Sequence, residues 1–304
     1  MFAVETRKLS KHFGTKAAVD GLSLRVPKGS IFGFLGPNGA GKTTTLRMLV
    51  GLARPTSGDA FVLGESVLAP GKQYLRRIGY LPDVPGFYNW MRPDEFLMLV
   101  GDIFGMSGRD LRMRVGEVLE ITGLKGVKGR IGGFSRGMKQ RLGLAQALLN
   151  QPEVLFLDEP TSALDPIGRK EILDTISLLS GRTTVFFSTH ILNDVERVCD
   201  TVAIINHGRL LTQQNISSLR RSYSFRKIYL EFEGEPDISA ILKGHLWIDR
   251  LEKSNKGWYL HPTDLKAAQQ ALPRLIADHG LVLRRFELVE PSLEDIFVRL
   301  VNNQ

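Results

Sequence analysis

A short segment at residues 36–43, GPNGAGKT, constrains the fold of this chain more than any other part of the sequence. It lies between an apolar run, SIFGFL, and a helical pattern, TTLRMLVGL, which is the context that the pattern G-x-x-x-x-G-K-[ST] requires. The glycines allow the backbone N–H groups to converge on phosphate oxygens. We therefore expect a nucleoside triphosphate to be bound by Gly36, Asn38, Gly39, Ala40, Gly41, Lys42, Thr43 and Thr44, and the Thr43 hydroxyl to hold Mg²⁺.

Several short apolar runs end abruptly in glycine or polar residues, among them SIFGFL, VLFL and TVFFS. Runs of this kind, without alternation, are typical of strands that are buried on both faces of a parallel sheet covered by helices. In such sheets, ligands bind beyond the carboxyl ends of the strands. We therefore expect one crevice to be lined by Lys42, Asp158, Glu159 and His190, which are distant in sequence.

Two adjacent carboxylates, Asp158 and Glu159, follow the run VLFL. Neighbouring side chains at a strand end point to different sides, so one can hold a metal ion while the other acts as a base toward water. The alternative is a pair of solvated acids that cap the next helix. The preceding phosphate-binding segment favours a hydrolytic site.

The pattern along the chain indicates two domains. Residues 1–220 form an α/β domain with a mainly parallel sheet, and a helical insertion occupies about 84–150. Residues 221–304 show the order strand, helix, strand, strand, helix, strand, which predicts a small ferredoxin-like α+β domain. We expect no internal repeat and no low-complexity tract.

Composition limits the cellular setting and the partners. The longest apolar runs are far shorter than the ~20 residues of a membrane helix, and the N-terminal segment lacks a secretory apolar region. We therefore expect a soluble, cytoplasmic chain. Its net charge of +8 fits an anionic partner without choosing among nucleotide, membrane surface and nucleic acid. The single cysteine, Cys199, excludes an internal disulfide and is expected to be a buried apolar residue.

Four motifs in order, GPNGAGKTT, SRGMKQR, LFLDEPTSALD and STH, resemble those of the ATP-binding subunits of ABC transporters. The resemblance covers about the first 215 residues. It implies the P-loop ATPase fold of that family and two nucleotide domains packed head to tail. It also implies that Ser135 and Gly137 of one domain bind the ATP held by the other, which suggests a homodimer.

The resemblance assigns further roles by position. Lys42 would bind phosphate, Asp158 and Thr43 would hold Mg²⁺, and Glu159 would be the general base. His190 would contact the γ-phosphate, unless it is an ordinary loop histidine. Asp165 would lie at the dimer contact, and Phe13 would stack on adenine, unless it is a core residue of an edge strand.

The sequence departs from the family pattern at two places. The segment Phe134 to Met138 reads FSRGM, with one glycine and one glutamine fewer than the usual signature, and Asp83 stands where glutamine is common. Aspartate accepts hydrogen bonds only, so we expect Asp83 to remain near the metal without donating to water. Three aromatic residues and a methionine, called the aromatic group below, lie just beyond it: Phe87, Tyr88, Trp90 and Met91. The group is either an exposed docking patch or a buried hinge.

The ending PSLEDIFVRL reads from its residues as an amphipathic helix that covers a small sheet. After an extra C-terminal domain, however, it is similar to the endings of exporters whose membrane path is a separate subunit. We therefore expect an exporter ATPase at the inner face of the membrane, with an integral membrane partner and no nucleic acid. The alternatives are a soluble ABC-type ATPase that acts on DNA or ribosomes, and a regulatory module with little turnover.

Overall fold

The computed structural model describes residues 1–162, 164–222, 227–234, 236–242, 244–289 and 292–302. Ala163 in the SALD segment and Pro291 in the C-terminal motif lie outside these ranges. The chain divides into two compact units, Met1–Ile216 and Ser217–Gln304. The division falls a few residues before the boundary expected from the sequence. Across the described ranges, none of the helices combines the length and the apolar character needed to cross a membrane.

The first unit contains two sheets and a set of helices. Its strands are β1 (Phe2–Phe13), β2 (Lys16–Leu22), β3 (Arg25–Pro27), β4 (Ile31–Leu35), β5 (Ser57–Val62), β6 (Glu65–Ser66), β7 (Ile78–Leu81), β8 (Val154–Asp158), β9 (Thr184–Thr189), β10 (Thr201–Asn206) and β11 (Arg209–Asn215). Its helices are α1 (Lys42–Leu49), α2 (Pro93–Ile103), α3 (Gly108–Ile121), α4 (Arg136–Leu148), α5 (Pro166–Ser177) and α6 (Leu192–Val198), and α7 (Ile216–Ser222) follows at the junction.

The central sheet has the strand order β11-β10-β4-β9-β8-β7, and all its pairs are parallel except β10 with β11. Every residue of β4, β8 and β9 is buried. Alternate residues of β8 face different cores, with Leu155 and Leu157 on one side and Val154 and Phe156 on the other. Burial on both faces explains the absence of polar alternation in these strands. The parallel sheet predicted from the sequence is confirmed.

A second, antiparallel sheet packs on one face of the central sheet. Its order is β2-β1-β5-β6, with β3 also paired to β1. Val4, Leu9 and Val62 from this sheet share a core with Phe32 and Phe34 of β4. The sequence analysis did not predict this sheet, which brings the end of β1 and the start of β2 toward the phosphate-binding loop.

The helical insertion packs on the other face. Helices α2, α3 and α4 contribute apolar residues to one core that also contains Leu155 and Leu157 of β8. Gly101 allows α2 and α3 to approach closely, because a Cβ there would lie 2.2 Å from Leu111 Cδ1. Cys199 packs against the same core, and burial raises the pKa of its thiol.

The second unit contains β12 (Lys227–Phe232), α8 (Ser239–Leu242), β13 (Ile248–Lys253), β14 (Trp258–Pro262), α9 (Leu265–Asp278), β15 (Leu283–Val289) and α10 (Leu293–Asn302). Its antiparallel sheet has the order β13-β14-β12-β15. Ile228, Leu230 and Phe232 alternate along β12 and form a core with α9. Asp264 caps α9 by accepting a hydrogen bond from the Ala267 N–H. The predicted order of strands and helices is present.

Candidate nucleotide-binding site

The loop at residues 36–43, called the phosphate loop below, is shaped by contacts that only glycine permits. A Cβ on Gly36 would lie 2.5 Å from the Ile205 carbonyl oxygen, and one on Gly41 would lie 2.4 Å from that of Ala18. Gly41 also has a φ of 103°, in the left-handed region, and is the residue before α1. The first turn of α1 contains no acidic residue. The free N–H groups and the dipole at this helix start therefore favour an anion.

Lys42 is buried and held by three acceptors. Its Nζ donates to the carbonyl oxygens of Gly36 at 2.8 Å and Pro37 at 3.2 Å. It also forms an ion pair with Glu159 Oε1 at 3.2 Å. The structure therefore brings together the phosphate loop and the carboxylate that follows β8, as the sequence predicts.

A cavity of about 400 Å³ opens over the phosphate loop, within the usual size range of small-molecule sites. Its lining combines the loop, both ends of the turn between β1 and β2, and two carboxylates: Phe13, Lys16, Ala18, Asn38, Gly39, Gly41, Lys42, Thr43, Thr44, Asp83 and Glu159. Phe13 is 58% exposed, so the alternative that it is a core residue is wrong. Its ring lies at the rim of the cavity, with Lys11 Nζ 5.1 Å from the ring centroid.

Asp158 is buried at the end of β8 and accepts two hydrogen bonds at Oδ1. The donors are Thr43 Oγ1 and Ser188 Oγ, each at 3.2 Å. Burial is the main cause of a raised pKa at this carboxyl, and the nearby charges of Glu159 and Asp83 add to it. A bound cation would offset the cost of burying the negative charge. Mg²⁺ prefers oxygen ligands such as this carboxylate and the Thr43 hydroxyl. The residues present therefore fit Mg²⁺ in their chemistry. In the described ranges, no cluster of three or more His, Cys, Asp or Glu side chains forms a metal site made of protein ligands alone.

Glu159 has a backbone conformation that is uncommon for a residue with a side chain. Its φ is 49°, in the left-handed region, which costs about 1–3 kcal/mol. Its N–H donates to the Ser188 carbonyl oxygen at 2.9 Å, and its Oε2 lies 2.9 Å from His190 Nδ1. These contacts hold the Glu159 carboxylate between Lys42 and His190. The carboxylates of Asp158 and Glu159 therefore make separate contacts, as expected for neighbours at a strand end.

Ser135 and Gly137 lie at the start of α4 and are not among the residues that line the cavity. Ser135 caps the helix, since its Oγ accepts a hydrogen bond from the Met138 N–H at 3.2 Å. A Cβ on Gly137 would meet nothing closer than Leu164, at 3.7 Å. Asp165 caps α5 by accepting from the Gly168 N–H at 2.8 Å. A dimer role for Ser135, Gly137 and Asp165 remains a prediction.

Asp83 faces the cavity and accepts a hydrogen bond from Ser162 Oγ at 2.9 Å. This bond connects the segment after β7 to the loop that carries Glu159. A contact between Asp83 and a metal ion remains a prediction.

The aromatic group beyond Asp83 is divided between the two alternatives of the sequence analysis. Phe87 and Met91 pack against the core of the insertion, and the Phe87 ring contacts that of Phe96 edge to face at 5.2 Å. Tyr88 and Trp90 are 48% and 67% exposed, with their rings 5.1 Å apart. The group therefore has a partly buried half, Phe87 and Met91, and an exposed aromatic pair, Tyr88 and Trp90.

Sequence reasoning missed several polar residues next to the site. Ser188 contacts Asp158, and the buried Asp194 accepts hydrogen bonds from the buried Thr161, two residues after Glu159, and from the partly buried Arg169. Ser188 stands at the end of an apolar strand pattern, two residues before His190, which was the available signal. Asp194 lies in a short helix and gives no signal in the sequence, because acids in helices are usually solvated.

Comparison with protein families shows two matches along the chain. The model described as "ABC transporter" matches residues 19–162. A second model, described as "ATP-binding protein DrrA1-3-like, C-terminal domain", matches residues 215–301. The first match lies within the first unit of the structure, and the second covers most of the second unit.

Two relatives and one solved structure illustrate the similarity. The bacitracin transport ATP-binding protein BcrA of Bacillus licheniformis is 42% identical over 98% of this chain and 97% of its own length. The Nod factor export ATP-binding protein I of Rhizobium sp. (strain N33) is 35% identical over 99% of this chain and 98% of its own. The structure of an ATP-binding subunit of an ABC transporter superposes with a TM-score of 0.65 at 28% identity and covers 73% of this chain and 93% of that one.

Replacing Asp158 by asparagine tests the free-energy cost of burying the charged carboxylate. Because the folded-state pKa is raised, the wild-type protein loses stability as the pH rises through that pKa, whereas asparagine stays neutral. We expect Asp158→Asn to raise the Tm near pH 7 and to give little gain near pH 4. A gain of about 1 kcal/mol corresponds to about 2–4 °C in a domain of this size. Calorimetric melting curves at both pH values provide the measurement.

The control for this prediction is Asp249→Asn, which removes an exposed carboxylate from β13 in the second unit. We expect no such pH-dependent gain from it. If Mg²⁺ binds at Asp158, Asp158→Asn should also reduce the rise in Tm that added Mg²⁺ and ATP give with the wild-type protein. An Asp158→Asn protein that melts below the wild-type protein at neutral pH contradicts the prediction.

Proposed function

This chain belongs to the family of ABC transporter ATP-binding proteins and hydrolyses ATP, and we propose that the hydrolysis powers export through a separate membrane subunit. The contacts among Lys42, Glu159 and His190, beside the buried Asp158, carry the proposal. They join the carboxyl ends of three parallel strands, where α/β sheets bind ligands. The resemblance found in the four sequence motifs is thereby confirmed.

We assign the steps of hydrolysis to residues around the cavity. Lys42 and the N-terminus of α1 bind the phosphates, and Phe13 stacks on the adenine. Thr43 and Asp158 would hold Mg²⁺, which would supply positive charge to the phosphate oxygens. Glu159 lines the cavity beside Lys42, and we assign it the role of the base that accepts the proton of the attacking water. His190 contacts Glu159 and would also contact the γ-phosphate, and Asp83, which faces the cavity, would lie beside the metal.

The position of Ser135 and Gly137 supports a dimer of two copies. These residues start α4, a helix of 13 residues whose first N–H groups can bind an anion, yet they do not line the cavity of their own chain. A chain that carries both a phosphate loop and such a helix start is self-complementary under two-fold symmetry. In this arrangement, each ATP is bound by the phosphate loop of one copy and by Ser135 and Gly137 of the other.

An exposed aromatic pair supports docking to an integral membrane subunit. Tyr88 and Trp90 are exposed, and Val84, close to them in the chain, is 74% exposed. Exposed aromatic groups are enriched in protein interfaces. The hydrogen bond from Ser162 to Asp83 connects the start of this segment to the loop of Glu159. A partner bound at Tyr88 and Trp90 is therefore close, along the chain, to the site of hydrolysis.

The relatives support export as the direction of transport. One relative is named for bacitracin transport and another for Nod factor export, and both are similar along almost the whole chain. We place the protein in the cytoplasm, at the inner face of the membrane, beside its membrane subunit. None of the relatives named here favours the alternative of an ATPase that acts on nucleic acid or ribosomes.

Replacing Glu159 by glutamine tests hydrolysis and dimer formation together. Glutamine keeps the shape of the side chain but cannot accept the proton from water, so we expect ATP turnover to fall at least about 100-fold. With Mg²⁺ and ATP, the variant should accumulate as a dimer in size-exclusion chromatography with light scattering. Glu120→Gln, which changes an exposed glutamate of α3, is the control and should behave as the wild-type protein does. A strictly monomeric Glu159→Gln protein at high concentration contradicts the dimer.

Replacing the exposed aromatic pair tests the membrane partner. We expect Tyr88→Ser with Trp90→Ser to abolish recovery of the protein with membranes that contain the co-expressed multispan partner, because the apolar contact area is lost. Leu246→Ser is the matched control, since it removes a 97% exposed apolar residue from the second unit. Detergent-free fractionation and immunoblotting measure the recovery. Full recovery of the double variant would contradict docking at this site.

A further inference from the structure

We propose that Asp194 is a positioning residue for ATP hydrolysis, whose buried carboxylate holds the loop of Glu159 against the helix that follows His190. The proposal rests on the proposed function. It concerns the loop between β8 and α5, from Glu159 to Asp165, which is called the catalytic loop below.

The Asp194 carboxylate connects three segments of the first unit. Asp194 lies on α6 and is 1% exposed. Its Oδ2 accepts a hydrogen bond from Thr161 Oγ1 in the catalytic loop at 2.6 Å. Its Oδ1 accepts one from Arg169 Nε on α5, also at 2.6 Å. Both oxygens are therefore paired, one with the catalytic loop and the other with α5.

The link to Thr161 bears directly on Glu159. Thr161 is also 1% exposed and lies two residues after Glu159, whose φ is in the left-handed region. Glu159 is itself attached to β9 by the hydrogen bond to the Ser188 carbonyl oxygen and to His190 through its carboxylate. The catalytic loop is thus held at Glu159, at Ser162 through Asp83, and at Thr161 through Asp194. Asp194 provides the contact to the helix that follows His190.

The same carboxylate bears on His190. Helix α6 begins at Leu192, two residues after His190, so Asp194 fixes the helix that immediately follows the histidine. Displacement of Asp194 would change the position of the catalytic loop and of the His190 segment together. This arrangement keeps the Glu159 and His190 side chains at a fixed position relative to each other.

Burial of an ion pair is weak evidence for stability, because apolar residues of the same volume often stabilise a fold as well. In the Arg169–Asp194 pair the aspartate is buried and the arginine side chain is 31% exposed, and Thr161 adds a directional hydrogen bond to the same carboxylate. The Thr161–Asp194 hydrogen bond is directional, so it fixes the position of the catalytic loop more narrowly than apolar packing would. We therefore assign the cluster to the geometry of the site.

A second ion pair between the same helices provides a matched control. Arg197 on α6 donates to Asp174 on α5 at 2.6 Å, with both side chains about half exposed. This pair bridges α5 and α6 as the Arg169–Asp194 pair does. Within the described residues, its hydrogen bond joins only the two helices and does not involve the catalytic loop. A role in helix packing alone would make the two pairs equivalent.

The test compares Thr161→Val, Thr161→Ser, Asp194→Asn and Asp174→Asn in the full-length protein. ATPase assays give kcat and KM, equilibrium binding of a non-hydrolysable ATP analogue gives Kd, and melting gives Tm. We expect Thr161→Val and Asp194→Asn to lower kcat about 10- to 100-fold, with KM and Kd changed less than about twofold. Thr161→Ser restores the hydroxyl and should keep kcat near that of the wild-type protein. Asp174→Asn should leave kcat unchanged.

Three outcomes would overturn the proposal. These are a wild-type kcat in Thr161→Val, an equal loss of kcat in Asp174→Asn, and a loss confined to KM. Thr161→Val removes one hydroxyl and conserves the shape of the side chain, so it decides the question if Asp194→Asn fails to fold. An inactive wild-type protein contradicts the proposed function as well, whereas an active wild-type protein with a fully active Thr161→Val contradicts this inference alone.

Discussion

The ion pair between Lys42 and Glu159 is the interaction on which the rest of the candidate site depends. Both side chains are almost fully buried, and a buried charge is tolerated only when it is paired and hydrogen-bonded. The lysine is supplied by the loop after β4 and the glutamate by the loop after β8, so the pair requires the parallel sheet that aligns the ends of these strands. Phosphate and metal ligands are then brought to one edge, since Thr43 and Asp158 are the direct neighbours of the pair in sequence.

Much of the fold and of the site could be predicted from the sequence, because the determining signals are local. Continuous apolar runs identify β4, β8 and β9, since strands buried on both faces have no polar side. Positions 36 and 41 require glycine because a Cβ at either would clash with backbone, and this requirement gives the motif its recognisable glycine spacing. The convergence of Lys42, Glu159 and His190 follows from the rule that parallel strands present their carboxyl ends to one crevice.

The remaining features depend on contacts between segments that are distant in sequence. The antiparallel sheet was missed because the pairing of β1 with β5 is decided by the core it shares with β4. The split of the aromatic group was missed because Phe87 and Trp90 belong to one short segment, and only packing against the insertion distinguishes them. The buried position of Asp194 has no local signal at all, since its partners stand 33 and 25 residues away.

The central claim is that each ATP is enclosed by two copies of the chain, and mixing two inactive variants tests it most directly. Glu159→Gln removes the base, and Gly137→Asp places a carboxylate at the start of α4, where there is space for it. If the copies are mixed before Mg²⁺ and ATP are added, half of the dimers contain one intact composite site. The account predicts recovery of about a quarter of the wild-type ATPase rate. Mixed dimers that form, as shown by pull-down through two different tags, and yet hydrolyse no ATP would contradict it.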